Sequence, residues 1–442
     1  MDPDLLVFNG VDADTGDYLR QPVRLGEMAR LMKPGPQEGR KSDVREKAPL
    51  ADIDPRDLAQ TGWGVLFGPD ATPEIRQALA PLLDHRQAQA GRETERFFRS
   101  CDLAPEETYE SFRRQYRLGP GPVAPGRMPY YLLLVAGPGS VPFDFQYQLD
   151  IQYAVGRIWF DSMEEYAAYA ASVVAAETRP APPSRQAVLF SPVHPDDPLT
   201  QLSSAKLVAP LARTLAEKAY GWEVRVRIGE EARKEDLAGL LGGPETPALL
   251  FTAGHGIGLR LDDRRQRDLQ GALLCQGWGG PKARQISRGD YFSAGDLPEG
   301  ARLDGLVTFF FACYSAGTPQ TDSFAHLDTR RLQEAAREAF LARLPQKLLG
   351  RPGGGALAAI GHIDQAWPCS FLWEDEWEHT QVFESALRLL MRGYPIGAAM
   401  EHFGQRYAEI AAEISSRLEP VAGAGAGNER ALLKLWLAHN DA

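Results

Sequence analysis

Phe251-Thr252-Ala253-Gly254-His255-Gly256 and Thr308-Phe309-Phe310-Phe311-Ala312-Cys313-Tyr314-Ser315-Ala316-Gly317 share one design. In each, a run of apolar, strand-favouring residues ends in small residues placed around one reactive side chain. A buried strand of a parallel sheet delivers a chemical group to its carboxyl edge in this way. The first segment presents an imidazole and the second a thiol.

Outward from these two segments, strand-like and helix-like stretches alternate. Strands are predicted near 130–136, 187–190, 223–228, 248–252, 306–311 and 355–360. Helical periodicity falls near 162–176, 203–219, 234–241, 331–344, 380–391 and 396–415. This order predicts an α/β fold, a mostly parallel sheet with helices on both faces. Gly119-Pro120-Gly121-Pro122-Val123-Ala124-Pro125-Gly126 is the strongest punctuation in the chain and suggests a boundary. Residues 1–125 then form an N-terminal region, as a prodomain, a partner-binding module or an extension of the sheet. It contains one clear strand pattern at 63–67, a helical pattern at 72–90 and a polar connector at 34–55. Residues 126–420 form the main domain. Residues 421–442 form a glycine-alanine joint at 421–427 and a last helix at 429–438.

Composition narrows the function. The 442 residues are 44% hydrophobic, enough for a substantial core. Lys and Arg number 48 against 59 Asp and Glu, a net charge of −11, which argues against a phosphate-binding surface and so against nucleic acid as the main partner. Cys101, Cys275, Cys313 and Cys369 show no C-x-x-C spacing and no clustered histidine partners, so neither zinc nor a disulfide framework is expected. Met1-Asp2-Pro3-Asp4 has no basic leader pattern, and no apolar run nears the roughly 18 residues of a membrane span. A cytoplasmic protein without membrane attachment is the expectation.

Peptide hydrolysis by a thiol needs an accessible thiolate, a histidine that moves protons, and amide donors aimed at the developing oxyanion. Cys313 and His255 supply the first two. Gly254 and Gly256 permit close approach of a substrate, and the amides of Gly256 and Cys313 are candidate oxyanion donors. Either motif alone is commonplace, a turn or a buried cysteine. Their order on consecutive strands is what makes the pair specific.

These motifs resemble those of the caspase-like cysteine peptidases, which include caspases, gingipains, separase and the CHAT proteases. Ala253-Gly254-His255-Gly256 and Ala312-Cys313 match that group's His-Gly and Ala-Cys signatures. Val155-Gly156-Arg157 and Gln365-Ala366-Trp367 are similar to features of the gingipain branch, and the likeness covers about 130–400. It implies a caspase-like three-layer fold, Cys313 as nucleophile, His255 as proton carrier, and an acid after an earlier strand that orients the histidine. The matching place is Asp196 or Asp197. It also implies a specificity loop at Asp364, Gln365 and Trp367 that would hold a basic P1 side chain, with core packing an equal reading for Trp367. The acid that relatives carry before the helix near Thr200 has no clear counterpart.

The function expected is a cysteine endopeptidase with no cofactor and no metal, binding protein substrate as an extended strand. The resemblance adds a regulated enzyme cutting a few intracellular targets, in bacterial stress or antiviral defence. The charged, glycine-bearing stretches at 260–268 and 277–284 read as an exposed loop, where nicking by an activating protease or binding of a regulatory protein would order the site. The rival reading is an idle scaffold or interaction module of the same fold. An α/β-hydrolase would need a G-x-S-x-G elbow, which the chain lacks. His362, Cys275 and Cys369 are expected to serve structure only.

Overall fold

The protein is described by a computed structural model over residues 5–6, 10–19, 23–24, 53–91, 97–179, 184–218, 221–283, 285–322, 334–373, 377–418 and 435. Its architecture is α/β with mostly parallel strands, as the alternation predicts, but the strands divide between two sheets. One holds Phe98–Asp102, Trp63–Phe67, Tyr131–Val135 and Ala154–Ile158 in that spatial order, all parallel. The other holds Ala358–Gly361, Val307–Phe311, Leu249–Ala253, Gln186–Ser191 and Glu223–Ile228, also all parallel. A buried parallel strand is an apolar run in either sheet, so periodicity alone carries no information about which sheet it joins.

The Gly119–Gly126 punctuation lies within the first sheet, since Trp63–Phe67 pairs with Tyr131–Val135 across it. The segment 63–102 therefore contributes strands to a sheet that continues beyond residue 126. Helix Met163–Thr178 packs on helix Pro73–Ala90. Its start is set by a capping box, in which Ser162 and Glu165 satisfy each other's backbone amides.

The three central strands of the second sheet are buried on both faces. Val188, Phe190, Leu250 and Phe310 share one core with Leu237, Leu344 and Leu348 from covering helices. Leu189, Phe251, Phe309 and Phe311 share the opposite core with Leu211, Leu215, Phe383 and Leu387. Alternate residues of each strand thus point to opposite faces, and each large apolar side chain contributes about 1.5–3 kcal/mol by leaving water.

Two sequence-based expectations change in the structure. The helix expected over 331–344 is, in its described part, the short strand Phe340–Leu341 followed by helix Arg343–Leu349. Pairing of Phe340–Leu341 with Gly317–Thr318 overrides the helical propensity of the alanine-rich run. Of the stretches 260–268 and 277–284, expected to be exposed, most described residues are exposed, but the segment from 260 to 283 is folded and anchored. It carries a turn of helix at Gln266–Leu269 and strand Leu273–Leu274, and it buries Trp278. Leu273–Leu274 joins Tyr291–Phe292, Gly256–Gly258 and Gly10–Asp12 in a small third sheet. The 34–52 part of the expected connector and the joint at 421–427 lie outside the described residues, as does the terminal helix except for Leu435. Among the described residues no helix is long and apolar enough to cross a membrane.

Candidate active site

Leu249–Ala253 and Val307–Phe311 are neighbours in the sheet, and their last paired residues are Ala253 and Phe311. His255 and Cys313 each stand two residues beyond those partners, so equal register carries both to the same edge. The Gly254 amide donates to the Phe311 carbonyl at 3.2 Å and prolongs the pairing. Gly256 follows with no room for a side chain, since a Cβ there would stand 1.9 Å from the Cys313 carbonyl oxygen and 3.0 Å from its amide nitrogen. The backbones of the two expected oxyanion donors are therefore in contact. Tyr314, directly after Cys313, adopts the left-handed region at φ 57°, a strained geometry for a non-glycine residue. Its amide donates to the Asp364 carbonyl at 2.9 Å, which holds the turn.

The neighbouring strand Gln186–Ser191 leads to the third group. His255 Nε2 lies 2.8 Å from Asp197 Oδ2, both side chains being buried. Asp197 caps helix Pro198–Ser203, accepting from the Leu199 amide at 3.3 Å, and takes a further bond from Thr200 Oγ1 at 2.7 Å. Burial works against its charge. The positive charge available on His255, with hydrogen bonds from His255 and Tyr18 and the His194 imidazole 3.8 Å away, outweighs that cost and holds the carboxyl far below its usual range. An ionised Asp197 requires a proton on His255 Nε2. His255 Nδ1 is then the free nitrogen, and it has no hydrogen-bond partner among the described residues. Trp278 meets the imidazole edge-on at 6.0 Å, and His194 stacks beside it at 6.5 Å. The two aromatic neighbours keep the ring from swinging.

Asp196 and Asp197 thus diverge. Asp196 takes the left-handed backbone at φ 57° and pairs with Lys282 at the surface, 2.8 Å away, while Asp197 turns inward. Sequence alone did not separate them, since the two differ only in backbone conformation.

Cys313 is 0% exposed and His255 is 1% exposed, so the site is closed. The Ala366 amide donates to Cys313 Sγ at 3.2 Å. A cavity of about 1070 Å³ is lined in part by Asp364 and Gln365, the two residues before Ala366, while neither Cys313 nor His255 is part of its wall. Trp367 is 1% exposed, packed in the interior and absent from the cavity wall. The cavity also receives Asp144, Asp150 and Glu338, and no Lys or Arg among the described residues lines it. Phe143, Tyr147 and Tyr407 supply aromatic surface. Sequence reading missed Asp144 and Tyr147 because they come from helix Phe143–Asp150 of the other sheet's half. Among the described residues no cluster of three or more His, Cys, Asp or Glu side chains is arranged to hold a metal.

No known-family profile matches this sequence, and no curated protein matches it. Solved structures do. The crystal structure of the Arg-specific cysteine proteinase gingipain R aligns with a TM-score of 0.48 at 13% identity, covering 87% of this chain and 77% of that one. The complex of Porphyromonas gingivalis RgpB pro- and mature domains gives 0.44 at 12%, covering 84% and 76%. A third, described as a protease, gives 0.46 at 12%, covering 85% and 77%. At such scores the chemistry has to be read from this chain's own atoms.

His362 lines the cavity, with its ring edge-on to Phe311 at 5.0 Å. Burial lowers its pKa to about 4, opposed in part by a hydrogen bond to the Phe310 backbone. The folded protein keeps His362 neutral between about 4 and 6.5, where the unfolded chain binds a proton. Stability contributed by His362 is therefore full above pH 6.5 and falls as pH drops toward 4. In urea titrations from pH 7 to 4.5, His362→Gln should flatten part of the acid-side loss. His379 and His402, also lowered by burial, keep the remainder.

Proposed function

We propose that the protein is a cysteine endopeptidase in which Cys313 is the nucleophile, His255 the proton carrier and Asp197 the group that orients His255. The observation that carries this reading is the buried Asp197–His255 hydrogen bond, which leaves Nδ1 bare at the strand end beside the Cys313 strand. The thiol proton passes to His255 Nδ1 as sulfur attacks the scissile carbonyl carbon. Amides of Gly256 and Cys313 receive the developing oxyanion. His255 then gives its proton to the leaving amine, and a thioester remains. Water adds to the thioester through His255, releasing the carboxylic product and restoring the thiol.

Asp197→Asn should lower kcat/KM by roughly 10²–10⁴-fold, because the amide NH₂ would donate to Nε2 and force the proton onto Nδ1. Steady-state cleavage of fluorogenic peptides measures this.

The acidic, aromatic-lined cavity that Asp364 and Gln365 share, just before the Ala366 amide that bonds Cys313 Sγ, supports a basic P1 residue, whose stem would pack on Tyr147 and whose charge would face Asp364 and Asp144. A peptide panel varied only at P1 should favour Arg or Lys. Asp364→Asn should raise KM for those peptides roughly tenfold and leave neutral P1 peptides unchanged. Cleavage favouring acidic P1 would overturn the assignment.

Because Cys313 and His255 are closed off, an extended substrate requires local opening of the site, for which a regulatory partner or a nick is the proposed trigger. The same closure favours a second reading, a non-catalytic scaffold of this fold. Covalent labelling by a thiol-reactive peptide probe, lost in Cys313→Ala, separates the two. Labelling that persists in that variant would point to another cysteine.

A further inference from the structure

Residues 10–19 come from the far N-terminal end of the sequence and lie against the site. Gly10–Asp12 runs parallel to Gly256–Gly258, with Gly10 opposite Gly256. The chain then reverses. Asp12 Oδ1 accepts from the amide of Thr15 at 2.9 Å and its hydroxyl at 3.1 Å, Gly16 takes the left-handed backbone at φ 67°, and the Leu19 amide returns to the Gly10 carbonyl at 2.9 Å. This tight turn leaves little freedom for the two residues that close it. Leu19 joins the core that holds Cys313. The Tyr18 hydroxyl donates to Asp197 Oδ1 at 2.7 Å, and its ring lies 5.9 Å from the His255 ring.

The partners of Asp197 are thereby divided. Oδ2 faces His255 and Thr200, while Oδ1 takes the Leu199 amide and the Tyr18 hydroxyl. Tyr18 is the one donor of this set brought from outside the second sheet and its connections. A buried carboxylate with one oxygen under-bonded could rotate, and the His255 hydrogen bond would rotate with it.

We propose that Tyr18 is a positioning residue of this site: its hydroxyl, delivered by the Gly10–Leu19 turn, fixes the Asp197 carboxylate in the orientation that aims His255. The proposal rests on the peptidase reading for its kinetic arm and not for its spectroscopic arm. The groups that bear on His255 are Asp197, Tyr18, His194 and Trp278. Of these, Tyr18→Phe alters only the donor to Oδ1.

The test uses the full chain. In Tyr18→Phe, kcat should fall roughly tenfold with KM unchanged, the size expected for a lost hydrogen bond to a charged group. Removing that donor leaves Asp197 a stronger partner for His255, so the His255 titration, followed by ¹⁵N NMR and assigned by its loss in His255→Gln, should move up by roughly half a unit or more. Should the variant not fold, 3-fluorotyrosine at position 18, a stronger donor, should move the titration down. An unmoved His255 titration, or a rise in KM alone, would overturn the proposal. If the wild type cleaves no peptide, the peptidase reading falls, while the titration still decides the role of Tyr18.

Discussion

Cys313→Ala should abolish peptide cleavage, and His255→Ala should lower kcat/KM by at least about a thousandfold, with secondary structure and urea midpoint little changed by the first. Cys313 is the smaller structural risk, since alanine fits where a thiol packs. His255→Ala also strips Asp197 of the partner that offsets its burial, so some stability is lost with the activity. Non-additivity is the sharper test of a shared mechanism. The double variant should be no less active than the Cys313 variant alone, because groups that act as a unit fail together. Cleavage that survives either single substitution would remove these residues from the chemistry and leave the scaffold reading standing.

The second large effect is expected at a position with no chemistry of its own. Gly256→Ala should destabilise the fold by about 2–4 kcal/mol and reduce activity by more than about a hundredfold. The new Cβ would meet the Cys313 carbonyl oxygen at 1.9 Å and its carbonyl carbon at 2.9 Å. These are backbone atoms on the neighbouring strand end, so the clash cannot be relieved by turning a side chain. Either the His255 strand end or the Cys313 turn must move, and both amides expected to face an oxyanion lie there. Gly300→Ala is the control, since a Cβ there meets nothing within 4 Å. Urea midpoints of the two variants, with kcat/KM measured under native conditions, separate a local clash from the general cost of adding a methyl group. Equal midpoints for both variants would contradict the close approach of Gly256 to Cys313.

Much of this site was legible in the sequence, and for a particular reason. His255 and Cys313 each end an apolar run and are each flanked by small residues, so their place at a sheet edge follows from local pattern. Asp197 was legible only as one of two adjacent acids. The choice between it and Asp196 is made by a left-handed residue and a helix cap, which are backbone events with weak sequence signals. Gln365 and Asp364 reach the cavity as the motif suggested, but Trp367, two residues later, turns into the interior. Trp367 leads into the short turn Pro368–Ser370 and its ring is buried by packing that composition does not encode.

The sequence by itself determined most of the alternation of strands and helices and the position of His255 and Cys313 at strand ends, because these depend on periodicity and near neighbours. Tertiary structure alone decided the rest. It split the strands between two sheets, joined Trp63–Phe67 to Tyr131–Val135 across a glycine-proline loop, and brought Asp144 and Tyr147 to the cavity beside Asp364. It also carried Tyr18 to Asp197, 179 residues away along the chain. Such contacts are set by which buried surfaces fit together once the chain has collapsed. A hydrogen bond between residues that far apart leaves no periodic trace in either segment.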